Sequence, residues 1–466
     1  MFKTLKNAWR IPELKKKLLF TLLIVVLYRL GASIPVPYVN PDATTGMAAS
    51  LFGQGILQYL NALSGEALGK ATLLALGVSP YITASIVMQL LTIAIPALER
   101  LSKDGEEGRK KITAITRVVT VALALITSIA YALFLRNNSL LLDISSKGIG
   151  FEIFCIAVMV ACYCAGAALV MWLAEKINDH GIGNGISIIL FANIVAGFKS
   201  MALNVWQLAT NDRLHIAVGI VLAVVQVLLI LGMIVLIVWM SDAERRIPIQ
   251  YAKRVVGRKM YGGQNTNLPL KVNMSGVMPI IFANSIVAIP STIEGFITDK
   301  NNWFCQLVSG KWGFLADIKN ESLRALVQSL VGFNPNSWIY LIVFLVLLIA
   351  FAFFYVAISF NPVEVANNIK NNGGAVPGIR SGKPTVDYIK KILNRITLVG
   401  ALLVAFIAVF PMVIHIVTCY FSATANLFAA FAFAGSSLMI AVGVALETTR
   451  ELEAQMSLRN YKGFLD

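Results

Sequence analysis

Ten apolar runs, separated by loops that carry nearly all of the charge, constrain this chain more than any other feature of its sequence. A helix needs about 20 consecutive apolar residues to cross a bilayer core. The runs predict membrane spans at residues 18–34, 71–95, 113–135, 150–173, 182–198, 215–240, 274–297, 338–360, 393–416 and 423–446. Only 14% of the residues are charged, whereas a soluble domain carries about 25%. The sequence therefore predicts a multi-pass membrane protein.

Basic residues are distributed unequally between the two sides of this predicted membrane. Most of the 39 Lys and Arg residues lie in the N-terminal segment, in the loops after the even-numbered spans and in the C-terminal tail. Cytoplasmic loops of membrane proteins carry such an excess of positive charge. Both termini are therefore expected in the cytoplasm, and the net charge of +15 reflects topology rather than binding of nucleic acid.

Ten spans with both ends on one side divide into two halves of five. An odd number of spans per half makes the second half enter the membrane from the opposite side, which is the arrangement of an inverted repeat. The expected fold is an all-α membrane protein of ten transmembrane helices in two inverted five-helix halves. We place the halves at residues 18–200 and 201–446, between a cytoplasmic segment 1–17 and a tail 447–466, with cytoplasmic loops at about 241–273 and 361–392.

Charged and catalytic groups are scarce within the spans. Ion-coupled transporters keep an ionisable residue near mid-membrane, whereas groups such as Arg29 and Arg117 fall near span ends, where snorkelling to the interface is the ordinary explanation. Sodium sites made of backbone carbonyls stay possible. No phosphate-binding loop, metal-ligand spacing or catalytic triad is found, so we expect no enzymatic activity, no cofactor and no metal.

Two external segments have unusual patterns. Residues 51–70 are apolar, broken by glycines and too short to span, so they form either a surface cap helix or a re-entrant plug, and composition does not choose between these. Residues 298–337 contain an i, i+3, i+4, i+7 apolar stripe, made of Leu323, Leu326, Val327 and Leu330. That stripe predicts an amphipathic surface helix.

Two cytoplasmic loops differ from simple tethers. Residues 244–254 alternate enough to predict a strand, and Val376 to Arg380 follow a glycine-rich bend. Structured basic loops are plausible docking points for a partner. A solvated basic loop would explain the charge alone, but it would not require regular structure.

Five motifs along the chain resemble signatures of the SecY family of protein-conducting channels. In chain order they are Gly77-Val-Ser-Pro-Tyr-Ile82, Glu106-Glu-Gly-Arg-Lys-Lys-Ile112, Gly181-Ile-Gly-Asn-Gly-Ile186, Leu268-Pro-Leu-Lys-Val-Asn273 and Val376-Pro-Gly-Ile-Arg380. They run from the first spans to the loop before span nine. The resemblance therefore covers essentially the whole chain.

The resemblance implies an hourglass channel closed by an apolar ring and a plug helix. The ring residues that it implies are Val78, Ile82, Ile186, Leu190, Ile281 and Ile440. The plug maps to about residues 62–72, with Ala62, Leu63, Ser64, Gly65, Leu68 and Gly69 as its site residues. Bulky apolar side chains in a ring block ions by dewetting, although without the family each would be interpreted as core packing.

The resemblance further implies a lateral gate to lipid and docking sites for partners. Gln89, Thr116 and Asn284 would line the gate, through which a hydrophobic signal sequence leaves for the membrane lipid. Arg254, Arg258, Lys259 and Arg380 would contact the ribosome, including its RNA, or the motor ATPase SecA. The implied partners are also the small subunits SecE and SecG and signal-bearing polypeptides, and the implied location is the bacterial cytoplasmic membrane.

Two other classes remain open on the residues alone. A ten-helix secondary transporter would need a polar site at the midplane, where this sequence is apolar. A scaffold without a conduit would not need the glycine-rich segment beside span two. Transfer of a signal-bearing polypeptide into reconstituted vesicles would separate these classes from a channel.

Overall fold

The structure is a computed structural model of the chain. It describes residues 2–40, 61, 64–138, 140–142, 149–210, 216–251, 254–256, 259–261, 265–297, 302–309, 333, 337–419 and 434–462. The predicted amphipathic helix around residues 323–330 lies outside these residues. So do Ala62, Leu63, Arg258 and the first part of predicted span ten.

Each of the ten predicted spans coincides with a helix. Spans one to five are the helices Pro12–Gly31, Ser79–Ala94, Gly105–Asn137, Ile149–His180 and Gly185–Ala209. Spans six to ten are Ile216–Asp242, Met278–Phe296, Trp338–Ser359, Lys383–Cys419 and Ala434–Lys462. Shorter helices lie at Phe2–Arg10, Pro96–Lys103, Trp303–Ser309 and Pro362–Asn371. The prediction of an all-α membrane protein with five spans in each half is confirmed.

The helices differ in whether their length and apolar character alone identify them as membrane-crossing. Within the described residues, spans three, four, six, eight and nine are each long and apolar enough to cross a membrane. Span two and the helix Pro96–Lys103 would count as a sixth, but they meet at a bend of 101°. Pro96 lies just after that bend, where proline cannot continue the hydrogen bonding of the preceding helix.

Span two begins at Ser79 rather than at residue 71, so that predicted boundary is wrong. Residues 64–78 run through successive turns instead of a helix. Ala71 and Gly77 have φ angles of 47° and 53°, which a right-handed helix excludes. Pro80 then occupies the first helical turn, where its missing N–H costs nothing.

Spans two and seven begin with the same pattern, Gly-Val-x-Pro-x-Ile, at residues 77–82 and 276–281. The two glycines have φ angles of 53° and 62°. The N-cap residues that follow, Val78 and Val277, have φ and ψ of −89° and −9° and of −94° and −9°. Because each is the second span of its half, this pattern is a trace of the repeat in the sequence itself.

The two long loops that were predicted to be cytoplasmic contribute strands to one small sheet. Strands β1 (Glu244–Tyr251), β2 (Arg254–Val256), β3 (Lys259–Tyr261) and β4 (Asn265–Lys271) lie in the first loop, and β5 (Gly374–Ala375) lies in the second. The strand order is β4-β1-β5, with antiparallel pairing throughout, and β2 pairs only with β3. The predicted strand at residues 244–254 is therefore confirmed as β1. We call the β4-β1-β5 sheet the platform.

The two largest apolar clusters of the described residues lie among the spans. The first-half cluster joins spans one, four and five to the turns before span two, and it includes Tyr28, Ala67, Leu74, Val170 and Ile189. The second-half cluster joins spans five to ten, and it includes Leu190, Ile237, Phe344, Met412 and Ile440. Span five contributes to both clusters, so the line where the halves meet runs along it.

Candidate functional site: an apolar seam, a turn segment and a strand platform

The six predicted ring residues lie along the contact between the two apolar clusters. Val78 belongs to the first-half cluster, Leu190 and Ile440 belong to the second, and Ile281 packs against the second. Ile82 and Ile186 pack against both. These two side chains therefore bridge the halves. We call this contact between the two clusters the apolar seam; the other four predicted residues each belong to, or pack against, one of the two clusters.

The local backbone structure at the starts of spans two and five positions four of these side chains. Val78 is the N-cap of span two, and Ile82 lies one turn later, with its amide donating to the Val78 carbonyl at 3.0 Å. In span five the Asn184 side chain caps the helix by accepting from the amide of Ile186 at 3.1 Å. Leu190 follows one turn further on. Residues four apart share a helix face, so each helix presents its pair to the seam together.

The described part of the predicted plug, residues 64–72, is compact and buried, and we call it the turn segment. Ser64, Ala67 and Ala71 are exposed by 5%, 1% and 0%. Asn61, which precedes the segment, stabilises it, because the Asn61 side-chain Oδ1 accepts from the Gly69 amide at 2.8 Å. Its hydrogen bonds form turns, so the expectation of a plug helix fails for these residues.

Side chains from two spans hydrogen-bond to the backbone of the turn segment. The Arg29 guanidinium, near the end of span one, donates from Nη1 to the Gly65 carbonyl at 3.3 Å and from Nη2 to the Ala192 carbonyl of span five at 3.0 Å. The Tyr131 hydroxyl of span three donates to the carbonyl of Leu68. Arg29 thus binds protein carbonyls, and the explanation of its charge by snorkelling is wrong.

The predicted gate residues lie on three neighbouring spans. Gln89 is partly buried in span two, Thr116 is 7% exposed in span three, and Asn284 is 1% exposed in span seven. Span three contacts both of the others. Thr116 donates to its own helix at the Ile112 carbonyl, 2.9 Å away. Among the described residues, neither polar atom of the Asn284 side chain has a hydrogen-bond partner.

Three of the four predicted docking residues lie on or beside strands β2, β3 and β5, and Arg258 lies outside the described residues. Arg254 begins β2 and Lys259 begins β3. Arg380 is exposed and follows β5 through a turn, in which its carbonyl accepts from Thr385 Oγ1 at 2.9 Å. The β5 pairing with β1 brings Arg380 to the same sheet as the first loop, a contact that the sequence alone did not indicate.

The base of the platform is tied to span ten by charge. Arg450 Nη2 donates to Asp242 Oδ1 at 2.7 Å and to the Ser241 carbonyl at 2.8 Å, just before β1. Burial lowers the pKa of Lys271 at the end of β4, and the Arg450 guanidinium lowers it further. Across the described ranges, no group of three His, Cys, Asp or Glu side chains could hold a metal ion.

Fold and site together define a class: a ten-span membrane protein whose two halves close against each other along an apolar seam. The sequence model of the SecY family matches residues 72–449. The protein translocase subunit SecY of Streptomyces galbus is 43% identical over 469 residues, which cover 100% of both chains. That of Streptomyces coelicolor is 42% identical over 471 residues, again 100% of both. The chain belongs to the SecY family, and its function is that of a protein translocation channel.

Solved channel structures share the fold. One described as the structure of a protein conducting channel has a TM-score of 0.60 at 17% identity, covering 96% of each chain. A second, which concerns a SecY plug domain that stabilises the closed state and maintains a membrane seal, has a TM-score of 0.58 at 16% identity over 96% of each chain. A third is Sec61 in the canine ribosome-channel complex, with a TM-score of 0.57 at 15% identity over 96% of each.

Proposed function

We propose that this chain is the pore subunit through which unfolded polypeptides cross the bacterial cytoplasmic membrane, and from which hydrophobic segments leave sideways into lipid. The observation that carries the proposal is the pair Ile82 and Ile186, which bridge the two apolar clusters beside a buried segment that is not helical. Backbone without regular structure is tolerated at membrane depth only inside protein or along a cavity. A movable closure beside an apolar seam satisfies that condition.

In the closed channel, the six seam residues act as the ring and the turn segment acts as the plug. Val78, Leu190 and Ile440 are exposed by no more than 3%, so they have few contacts left to make with a substrate. Ile82, Ile186 and Ile281 are only partly buried, and they would contact the passing chain first. An apolar constriction of this kind excludes ions by dewetting and fits around any extended sequence.

Lateral release uses the contact of spans two and three with span seven. Asn284 is buried there with an amide that no described residue satisfies, which makes the closed gate less stable than an apolar packing would be. A signal sequence enters where this packing is weakest. Gln89 and Thr116 line the same contact from the opposite half.

The platform and the adjacent β2–β3 hairpin receive the partner that drives translocation, either the motor ATPase SecA or the ribosome. Arg254, Arg258, Lys259 and Arg380 supply positive charge on the cytoplasmic face, which suits acidic protein surfaces or ribosomal RNA. SecE and SecG are the expected small subunits. The chain itself has no catalytic role, and the energy comes from the partner.

Reconstitution tests this function. The chain is placed in proteoliposomes with SecE, SecG and SecA, and a radiolabelled polypeptide with a signal sequence is added with ATP. We expect the polypeptide to become protected from external protease. A polypeptide identical except for a deleted signal sequence is the matched control, and equal protection of both would contradict a signal-gated channel.

A further inference from the structure

The geometry points to Arg29 as the latch that holds the plug closed, together with Tyr131 as a second fastening. This inference rests on the proposed function, because it assigns the residues that position its plug. Arg29 is half-buried at the external end of span one, and its guanidinium joins three separate parts of the chain. It reaches the Gly65 carbonyl of the turn segment and the Ala192 carbonyl of span five.

The turn segment needs such donors because its backbone is not helical. Buried carbonyl groups must find hydrogen-bond partners, and in a helix the helix itself supplies them. Here Gly65 and Leu68 accept instead from Arg29 and Tyr131, side chains of spans one and three. Each of these bonds must break when the segment leaves its position. The two side chains therefore contribute directly to the free energy that separates closed from open.

Neighbouring residues fix the guanidinium in place. Asn193 is fully buried beside Ala192, and its Nδ2 donates to the hydroxyl of Tyr28 at 2.9 Å. Two neighbouring hydrogen bonds therefore join spans one and five, one from Arg29 to Ala192 and one from Asn193 to Tyr28. A Cβ on Gly65 would lie 2.7 Å from Nη1 of Arg29, and Gly65 has a φ of 66°, so glycine suits both the backbone and the close approach of the guanidinium.

The character of the Arg29 contacts distinguishes a latch from a structural ion pair. Among the described residues no carboxylate forms a salt bridge with Arg29, whereas Arg136, on the same external side, pairs with Glu152 at 2.6 Å. Hydrogen bonds from a charged donor to neutral carbonyls are strong. Because the acceptor carries no charge, breaking such a bond leaves no unpaired carboxylate. Such a contact can open and close repeatedly. A buried ion pair would leave an unpaired carboxylate behind.

Resting conductance measures the latch. The full-length chain, reconstituted in planar bilayers without SecA, ribosome or polypeptide, is compared with Arg29→Gln, Arg29→Lys and Tyr131→Phe. We expect Arg29→Gln to raise the time-averaged ion conductance about tenfold, equivalent to about 1.4 kcal/mol of lost closure. Tyr131→Phe keeps the aromatic side chain and loses only the hydroxyl donor, so we expect the conductance to rise about fivefold. Arg29→Lys should fall between wild type and Arg29→Gln, since its point charge reaches one carbonyl rather than two.

Two controls make the result specific. Arg136→Gln removes an external guanidinium that is more exposed than Arg29 and pairs with Glu152 rather than with the turn segment, and its conductance should equal that of wild type. Deletion of residues 64–71 tests the plug itself. A leak in the deletion variant with wild-type conductance in Arg29→Gln would overturn the latch and leave the plug in place. No leak in the deletion variant would remove the plug assignment. A leak of equal size in Arg136→Gln would reduce the effect of Arg29 to general destabilisation.

Discussion

Replacing Asn284 by leucine is expected to hold the lateral gate closed. The side chain is 1% exposed in span seven, and both of its polar atoms lack a hydrogen-bond partner in the described part of the chain. An unsatisfied buried polar group costs about 1–3 kcal/mol. Leucine removes that cost from the closed state, whereas in the open gate water or a signal sequence would have satisfied the amide. Closure should therefore gain about 1–2 kcal/mol, and each 1.4 kcal/mol lowers the open population tenfold.

The assay is the initial rate of signal-dependent translocation into proteoliposomes, measured beside thermal unfolding of each variant in detergent. We expect Asn284→Leu to translocate about tenfold more slowly and to unfold at a higher temperature. Gln226→Leu is the matched control, because Gln226 is also 1% exposed with an unpartnered Oε1 but lies in span six, away from the gate. It should gain stability without a loss of rate.

The reasoning fails if Asn284→Leu translocates at the wild-type rate while its stability rises as in Gln226→Leu. The orphan amide would then be a static defect of the core, equally present in both gate states. A fall in thermal stability for Asn284→Leu would refute the energy estimate, since it would mean that the larger side chain is overpacked.

Three further changes test other parts of the molecule. Ile82→Asn combined with Ile281→Asn should raise resting conductance at least tenfold by wetting the ring, whereas Val118→Asn, at a position 70% exposed on span three, should not; equal conductance in the two would count against the ring. Arg380→Glu should reduce SecA-driven translocation about tenfold with unchanged unfolding temperature, and a normal rate would remove Arg380 from the docking surface. Gly166→Ala should lower the unfolding temperature by several degrees, because its Cβ would lie 2.1 Å from the Leu73 carbonyl oxygen; an unchanged temperature would show that this packing yields freely.

The length of the apolar runs predicted the spans well because lipid imposes one rule on all of them, an unbroken apolar helix of sufficient length. It misplaced the start of span two for a related reason. Residues 71–78 are as apolar as a span, yet they are buried in protein rather than lipid. Composition does not separate these two environments, and only the glycine and proline positions signal the turn before Ser79.

Long-range contacts escaped the sequence analysis almost entirely. The pairing of Gln250 with Ala375 joins loops more than one hundred residues apart, and neither strand indicates its partner. The sequence marks Arg29 as a full charge near the end of a span, but its contact with Gly65 depends on a turn that the apolar runs do not predict. By contrast, the repeated Gly-Val-x-Pro-x-Ile pattern at residues 77–82 and 276–281 is visible in the sequence itself, and the structure adds that each copy begins the second span of its half.

The platform connects four spans of the second half, so a force applied to it would reach these spans together. β1 leaves span six directly and β4 leads into span seven, while β5 lies between spans eight and nine. A partner bound to this sheet would therefore be connected to four spans of the second half at once. Among the described residues, no strand of the first half joins this sheet. The described contact between the halves is made mainly by apolar side chains, which slide more easily than hydrogen-bonded strands separate. A force on the platform would then rotate one half against the other as a rigid body, rather than stretch the spans individually.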